Sequence, residues 1–291
     1  MKFKILIPVY NDWQSVLKLL DNINFSIESL GHEISVIIVN DASNHDRPTY
    51  EKDLENIHSV KILNMKINQG HARCIATGLK YIYEKEDFDY VIPMDGDGED
   101  RPDEIVQFVE KIIKNPNISV VGKRVKRSEN NIFKFCYEVH KIITYIFTGK
   151  LIRFGHFTCI PKSVVKKMIN EKATWNCYSA SLVKITKIRD SIPSIRGKRY
   201  FDLSKMSFYN LITHSLSIIS VFKTNVIIRS LGFIILYSLI IQNNFSIITS
   251  FPIVLIIIFN ILILKLSQRE NMQEYDKCLE NISDIDVVKN D

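Results

Sequence analysis

The chain has 291 residues, a formal net charge of +6 and a pI near 8.9, enough for one large α/β domain with an appendage or for two small domains. Its basic residues gather in 111–150 and 162–205 rather than along a nucleic-acid-binding stripe, so the charge argues for an anionic lipid surface and against nucleic acid. The five cysteines, Cys74, Cys136, Cys159, Cys177 and Cys278, form no Cys-x-x-Cys pair, which fits free thiols in a reducing compartment and not a disulfide framework.

The first 125 residues alternate between strand and helix signals. An apolar run over 3–9 predicts a strand that ends in Pro8-Val9-Tyr10-Asn11-Asp12, and a helical pattern follows over 13–30. A second strand over 34–39 ends in Asn40-Asp41-Ala42-Ser43. A third over 60–65 leads into Asn68-Gln69-Gly70 and a helix over 71–83. The fourth, over 90–94, ends at Asp95-Gly96-Asp97-Gly98-Glu99-Asp100-Arg101-Pro102. A helix over 102–113, with proline in its first turn, and a fifth strand over 119–122 complete the pattern. Such βαβ alternation predicts a mostly parallel sheet with helices on both faces. Ligands of these sheets bind beyond the carboxyl ends of the strands, where every motif above falls.

The acidic motif carries the chemistry. On an extended backbone, Asp95 and Asp97 point the same way, and Glu99 joins them if the extension persists. Gly96 and Gly98 would leave the backbone bare for a close-approaching ligand. Hard oxygen donors in this number suit Mg²⁺ or Mn²⁺ held together with substrate phosphates. The same residues would also make an ordinary acidic surface turn.

Composition changes sharply late in the chain. Between 224 and 266 the only charged residues are Arg229 and Lys265, and two apolar runs, 226–241 and 245–264, flank Gln242-Asn243-Asn244. A bilayer core needs about 20 apolar residues per helix, so a transmembrane hairpin is expected, with a buried soluble hairpin as the alternative. Lys223, Arg229, Lys265 and Arg269 all lie on one side of it, which by the positive-inside rule puts both chain ends in the cytoplasm. The apolar run at the N-terminus is too short for a signal peptide, in keeping with a cytoplasmic first domain. Segment 206–222 reads as an amphipathic helix lying in the interface. Residues from 268 onward are polar and mixed in charge, with no sign of a core. The expected divisions are a catalytic domain (1–203), an interfacial helix (204–223), a membrane hairpin (224–266) and a polar tail (267–291). Ser230, Gly232 and Ser238 in the hairpin would allow packing between copies of the chain.

The four strand-end motifs in this order, with the hairpin behind them, resemble family 2 glycosyltransferases of the GT-A fold. They look most like the polyprenyl-phosphate glycosyltransferases, the group that contains dolichol-phosphate mannose synthase. The resemblance implies an inverting transfer of one sugar from a nucleoside-diphosphate sugar to a polyprenyl phosphate at the cytoplasmic membrane face. It implies that Pro8, Tyr10, Asn11, Asp12 and Asp41 line the pocket for base and ribose, and that Asn68, Gly70, Arg73 and Gly96 contact the donor. Asp95, Asp97 and Glu99 would hold Mg²⁺ or Mn²⁺ across the two phosphates, although relatives often carry glutamine at the third position. The stretch Arg196-Gly197-Lys198-Arg199-Tyr200-Phe201-Asp202-Leu203-Ser204-Lys205 resembles the family's Arg-x-x-Gly-x-Ser-Lys element, with Asp202 in place of the usual glycine. Arg199 and Lys205 are thereby expected to grip phosphate in catalysis. Arg124, with Arg127 beside it, is expected at the acceptor phosphate, and Phe154-Gly155-His156-Phe157 at its edge. A lipid phosphate is anionic at neutral pH and needs no general base, so neither His71 nor His140 is required as one. A hydroxyl acceptor would need a base, for which Asp100 and Asp103 are the spare carboxylates. A non-catalytic anchor that keeps the fold is the rival from another class.

Overall fold

Residues 3–9 sit at the centre of the fold because, Lys4 apart, their side chains are apolar toward both faces of the sheet. In the computed structural model, which describes residues 1–50, 52–126, 131–201 and 208–290, they form strand β1 (Lys2–Val9). Phe3, Ile5, Ile7 and Val9 face one core, and Leu6 faces the other. The elements that follow are α1 (Trp13–Ser26), β2 (Glu33–Asn40), β3 (Val60–Met65), α2 (His71–Lys85), β4 (Tyr90–Pro93), α3 (Glu104–Lys114) and β5 (Ser119–Lys126). Next come α4 (Asn131–Thr148), β6 (Thr158–Pro161), α5 (Lys162–Ile169), α6 (Tyr178–Ile185) and β7 (Arg189–Ile195). The chain continues with α7 (Phe208–Ser220), α8 (Lys223–Ile241), α9 (Ile247–Ser267), α10 (Met272–Asp276) and β8 (Ile282–Lys289).

The described strands form one sheet in the order β7-β5-β6-β4-β1-β2-β3-β8. Its centre is parallel, as the βαβ alternation predicts: β4, β1, β2 and β3 all run the same way. The sheet as a whole is mixed, because β6 enters antiparallel between β4 and β5 and β8 closes the far edge antiparallel to β3. Helices α1 and α3 cover one face through Val16, Leu19, Leu20, Ile105, Phe108 and Ile112. Helices α2, α5 and α6 cover the other through Ile75, Leu79, Ile82, Val165, Met168 and Leu182. Lys4 is buried in this centre, but its ammonium lies 3.1 Å from the equally buried Glu86, which removes the cost of an unpaired charge.

Two expectations about the divisions of the chain are corrected. The chain divides into one unit of 1–128, 154–204 and 272–291 and a second of 129–153 and 205–271. The segment read as a polar tail therefore belongs to the sheet-bearing unit. Tyr275 is fully buried and stacks on Trp175 at 5.3 Å between ring centroids, and β8 pairs with β3. A single aromatic among charged residues and an alternating edge strand give too weak a hydrophobic signal to read as core.

The second correction concerns α4, which joins α7, α8 and α9 in the second unit. Ile143 and Phe147 pack with Ile219, Val226, Phe259 and Ile263. Asn225, just before the first apolar run, and Arg229 within it donate to the carbonyls of Thr148 (3.1 Å) and Ile146 (2.9 Å) in the last turn of α4. They thus satisfy acceptors that a helix end leaves open. Helices α8 and α9 are long and apolar enough to cross a bilayer, and their outward faces are apolar, with Leu236, Leu239, Ile240, Phe251, Leu255 and Ile258 exposed. Ser230 is not free to join copies of the chain, since it is buried and accepts from Asn260 of α9 at 2.8 Å.

Candidate active site

The order β4-β1-β2 brings three strand ends together at one edge of the sheet. After β1, Asn11 takes a left-handed backbone (φ 52°), and its side-chain carbonyl accepts from the backbone N–H of Asn44 at 2.9 Å and His45 at 3.2 Å. After β2, Ala42 is also left-handed (φ 55°), and Asn40 accepts from the N–H of Ser43 at 3.0 Å. These ties lock the two loops to each other. Pro8 is buried beneath them, while Tyr10 stays exposed above and Asn68 lies exposed on the loop after β3.

Asp41 does different work from that expected of it. It is buried, and its two oxygens accept from the backbone N–H groups of Gln69 (2.7 Å) and Gly70 (2.8 Å). It fixes the loop that opens α2 rather than presenting a carboxylate to a base. Arg73 is likewise turned elsewhere: it pairs with Glu274 at 3.1 Å and lies over Trp175 at 5.0 Å. Neither arrangement has a local sequence signal, because Gln69, Glu274 and Trp175 are distant in the chain.

The acidic turn follows β4. Gly96 and Gly98 are needed for packing, not for openness. A side chain at Gly96 would meet Val16 at 2.8 Å, and Gly98 has φ 89° with the Tyr200 ring where a Cβ would stand. Tyr200 is held there by its N–H donating to the Asp97 carbonyl (3.0 Å) and by Asn22 donating to its hydroxyl (2.7 Å). Gly197 donates its N–H to the Glu99 carbonyl at 2.8 Å. The segment 196–200 is thus laid along the acidic turn and brings two arginines with it. Arg199 donates to Asp97 and, at 3.2 Å, to Asp12, while Arg196 donates to Glu99.

Asp95 accepts charge from another side. His156, just before β6, places Nε2 3.1 Å from Asp95 and 3.4 Å from Asp100, and His71, the first residue of α2, lies 3.7 Å from Asp95. Burial opposes charge on Asp95, but His156 and then His71 outweigh it and hold the carboxyl well below the usual carboxylate range. Burial and the neighbouring Asp95 charge push Asp97 the other way, up to about 7, against the pull of Arg199. Burial also opposes charge on His156, yet Asp95 and Asp100 raise it to about 10. Asp100 in addition accepts the Asp95 N–H at 2.9 Å, and Asp103 pairs with Arg101 at 3.1 Å, so both spare carboxylates are engaged. Arg124 is half-buried with its guanidinium against Gly155, next to His156. Arg127 and Lys205 lie outside the described residues.

The donor chemistry fits a divalent ion. Asp95, Asp97 and Glu99 offer oxygen atoms within 4.8 Å of one another, and so do the ligand atoms of His71, Asp95 and His156. The His156 Nε2 is buried without a hydrogen bond, since its approach to the two carboxylates misses hydrogen-bond geometry. Asp95 belongs to both sets.

Comparison with known proteins gives this edge of the sheet a family. The model of glycosyl transferase family 2 matches residues 4–174. Among curated relatives, the undecaprenyl-phosphate 4-deoxy-4-formamido-L-arabinose transferase of Klebsiella pneumoniae (strain 342) is 28% identical over 223 residues. The match covers 72% of this chain and 64% of the relative's length. Its counterpart from Klebsiella pneumoniae subsp. pneumoniae is 27% identical over the same shares. Among solved structures, glucosyl-3-phosphoglycerate synthase from Mycobacterium tuberculosis, in complex with Mn²⁺, UDP-glucose and phosphoglyceric acid, superposes with a TM-score of 0.56 at 10% identity. That comparison covers 77% of this chain and 79% of the other. A mannosyltransferase from Pyrobaculum calidifontis, in complex with GDP-mannose and Mn²⁺, gives a TM-score of 0.50 at 13% identity, over 94% and 75%. At such identities these neighbours show the fold, which is GT-A. The chain belongs to glycosyl transferase family 2.

Proposed function

We propose that this chain is an inverting glycosyltransferase that moves one sugar from a nucleoside-diphosphate sugar to a polyprenyl phosphate at the cytoplasmic face of a membrane. The observation that carries the reading is the acidic turn 95–99, bracketed by Arg196 and Arg199 at the carboxyl edge of the sheet. It occurs in a chain whose α8 and α9 are long and apolar enough to cross a bilayer. The undecaprenyl-phosphate relatives support the acceptor, and the UDP-glucose and GDP-mannose of the structural neighbours support the donor class.

In this reading the tied loops after β1 and β2, with Tyr10 exposed above them, receive the nucleoside. Asp95, with Asp97 and Glu99, would hold Mg²⁺ or Mn²⁺, which when bound neutralises charge on the donor diphosphate. Arg199 exchanges Asp97 and Asp12 for phosphate oxygens, for which its fork is suited. Arg124 binds the acceptor phosphate. One anionic oxygen of that phosphate forms the new bond to the anomeric carbon from the face opposite the leaving group. The bond from that carbon to the diphosphate oxygen breaks, and the nucleoside diphosphate leaves with its electron pair. No proton is moved, so no base is needed. The engagement of Asp100 and Asp103 weighs against a hydroxyl acceptor. Positive charge on one side of the hairpin supports cytoplasmic chain ends.

The test is incubation of the full chain in detergent with a panel of nucleoside-diphosphate sugars, Mg²⁺ or Mn²⁺, and undecaprenyl phosphate. Mass spectrometry of the lipid is expected to show one added sugar from one donor. No lipid product from any donor would overturn the reading.

A further inference from the structure

We propose that Asp284 of β8 is a positioning residue for the donor nucleoside: it fixes the polarity of a hydrogen-bond relay that runs through Asn64 and Asn40 into the loops after β2 and β1. The proposal deepens the nucleoside part of the function proposed above and rests on it. Strand register lays the relay out, since Asn40 lies opposite Asn64 and Asn64 opposite Asp284 across β2, β3 and β8. Asn64 donates from its amide to Asp284 at 2.6 Å and accepts from the amide of Asn40 at 2.9 Å. Beyond Asn40, whose oxygen takes the Ser43 N–H, the Ser43 hydroxyl accepts from the N–H of Asn11 at 2.9 Å. The far end is thus the pair of left-handed turns at Asn11 and Ala42, a conformation that must be held by its surroundings.

The two ends force the direction of every link. An ionised carboxylate only accepts, and a backbone N–H only donates. The Ser283 hydroxyl, at 2.6 Å, and then Asn64 hold the Asp284 carboxyl below the ordinary carboxylate range, so it is ionised at neutral pH. Asn64 therefore turns its nitrogen toward β8 and its oxygen toward β2, and Asn40 turns its nitrogen toward Asn64 and its oxygen toward Ser43. Asp286 backs this polarity, accepting from Asn64 at 3.2 Å while paired with Arg47 at 2.9 Å. A carboxylate at position 40 would face an oxygen of Asn64, and turning that amide over would set its oxygen against Asp284 instead. Loops fixed before the ligand arrives lose less freedom on binding, and that is what Asp284 contributes to donor affinity.

The test is calorimetric titration of UDP, GDP, CDP, ADP and dTDP, each with Mn²⁺, into the full chain in detergent. It compares the wild type with Asn40→Asp, Asp284→Lys and the double variant. Each single variant should weaken the nucleotide that the wild type binds by about tenfold, the scale of one repelled or unsatisfied polar group. In the double variant the lysine donates to Asn64, and Asn64 to the new carboxylate, which still accepts from Ser43. Affinity there should return to within about threefold of the wild type, a coupling that independent sites do not show. Donor KM should follow the same order while the KM for undecaprenyl phosphate stays unchanged. Thermal unfolding identifies any variant that fails to fold; Asp284 is exposed on the edge strand, so Asp284→Lys then carries the test. Unchanged affinity in the folded single variants, or a double variant no better than either, would overturn the positioning role while leaving sugar transfer standing. Binding of none of the five nucleotides by the wild type would overturn the nucleoside site itself.

Discussion

Arg199 donates to Asp97, so a guanidinium from the segment after β7 stands on the acidic turn after β4. The pairing means that the charge needed for a phosphate is stored against the charge proposed to hold an ion. Arg199→Ala should lower kcat/KM by the equivalent of about 2–4 kcal/mol, the loss of charge-assisted contacts in the reacting complex. Steady-state kinetics with donor and lipid acceptor measures it, and wild-type behaviour would reduce the segment to a structural clasp.

Asp97 gives the protein a pH-dependent stability. Its carboxyl is pushed up to about 7 by burial and by Asp95, well above the ordinary aspartate value of about 4, so between about pH 4 and 7 the folded state binds the extra proton. Stability from this group is full below pH 4 and is lost as the pH rises through 7. Thermal unfolding in EDTA should show that decline in the wild type and a flatter profile in Asp97→Asn. The same variant should abolish transfer. Identical slopes in both proteins would contradict the assignment.

Arg73 is predicted to matter for stability and not for the donor. Arg73→Ala removes a contact with Trp175 worth about 0.5–1 kcal/mol and the pairing with Glu274. The melting temperature should fall modestly while the KM for nucleotide sugar stays within about twofold, since an exposed pair contributes little. A large rise in KM would return Arg73 to the nucleotide.

The final segment should be indispensable. Tyr275→Ala empties a fully buried position against Trp175 and should cost about 3–5 kcal/mol, the range for removing a large core aromatic. Urea unfolding checks the value, and a cost below 1 kcal/mol would make the segment the polar tail that its composition suggests.

The central strands were legible because each is an apolar run closed by turn residues, and their parallel direction follows from the βαβ alternation, whereas their order in the sheet did not. Helix α4 was not legible, since its partners Asn225 and Arg229 arrive from the later apolar runs. At the site, Asp95, Asp97 and Glu99 could be found from their i, i+2 spacing. Their counter-charges could not, because Arg196 and Arg199 return from beyond β7 and His156 through an antiparallel strand. The glycines between the carboxylates look like openings in sequence. In the fold they are filled by Val16 and Tyr200.

Orientation has its own test. With native cysteines replaced, Asn243→Cys should react with an impermeant thiol reagent outside intact cells, and Asn290→Cys only after permeabilisation. The reverse pattern would contradict a cytoplasmic site.

The most direct test of the central claim is the fate of the phosphorus atoms. With the productive donor and undecaprenyl phosphate, the account predicts one nucleoside diphosphate released for each lipid consumed. It also predicts a lipid product containing a single phosphorus, seen as a phosphodiester by ³¹P NMR. Release of nucleoside monophosphate with a diphosphate-linked lipid, or a product whose sugar sits on a hydroxyl, would contradict it.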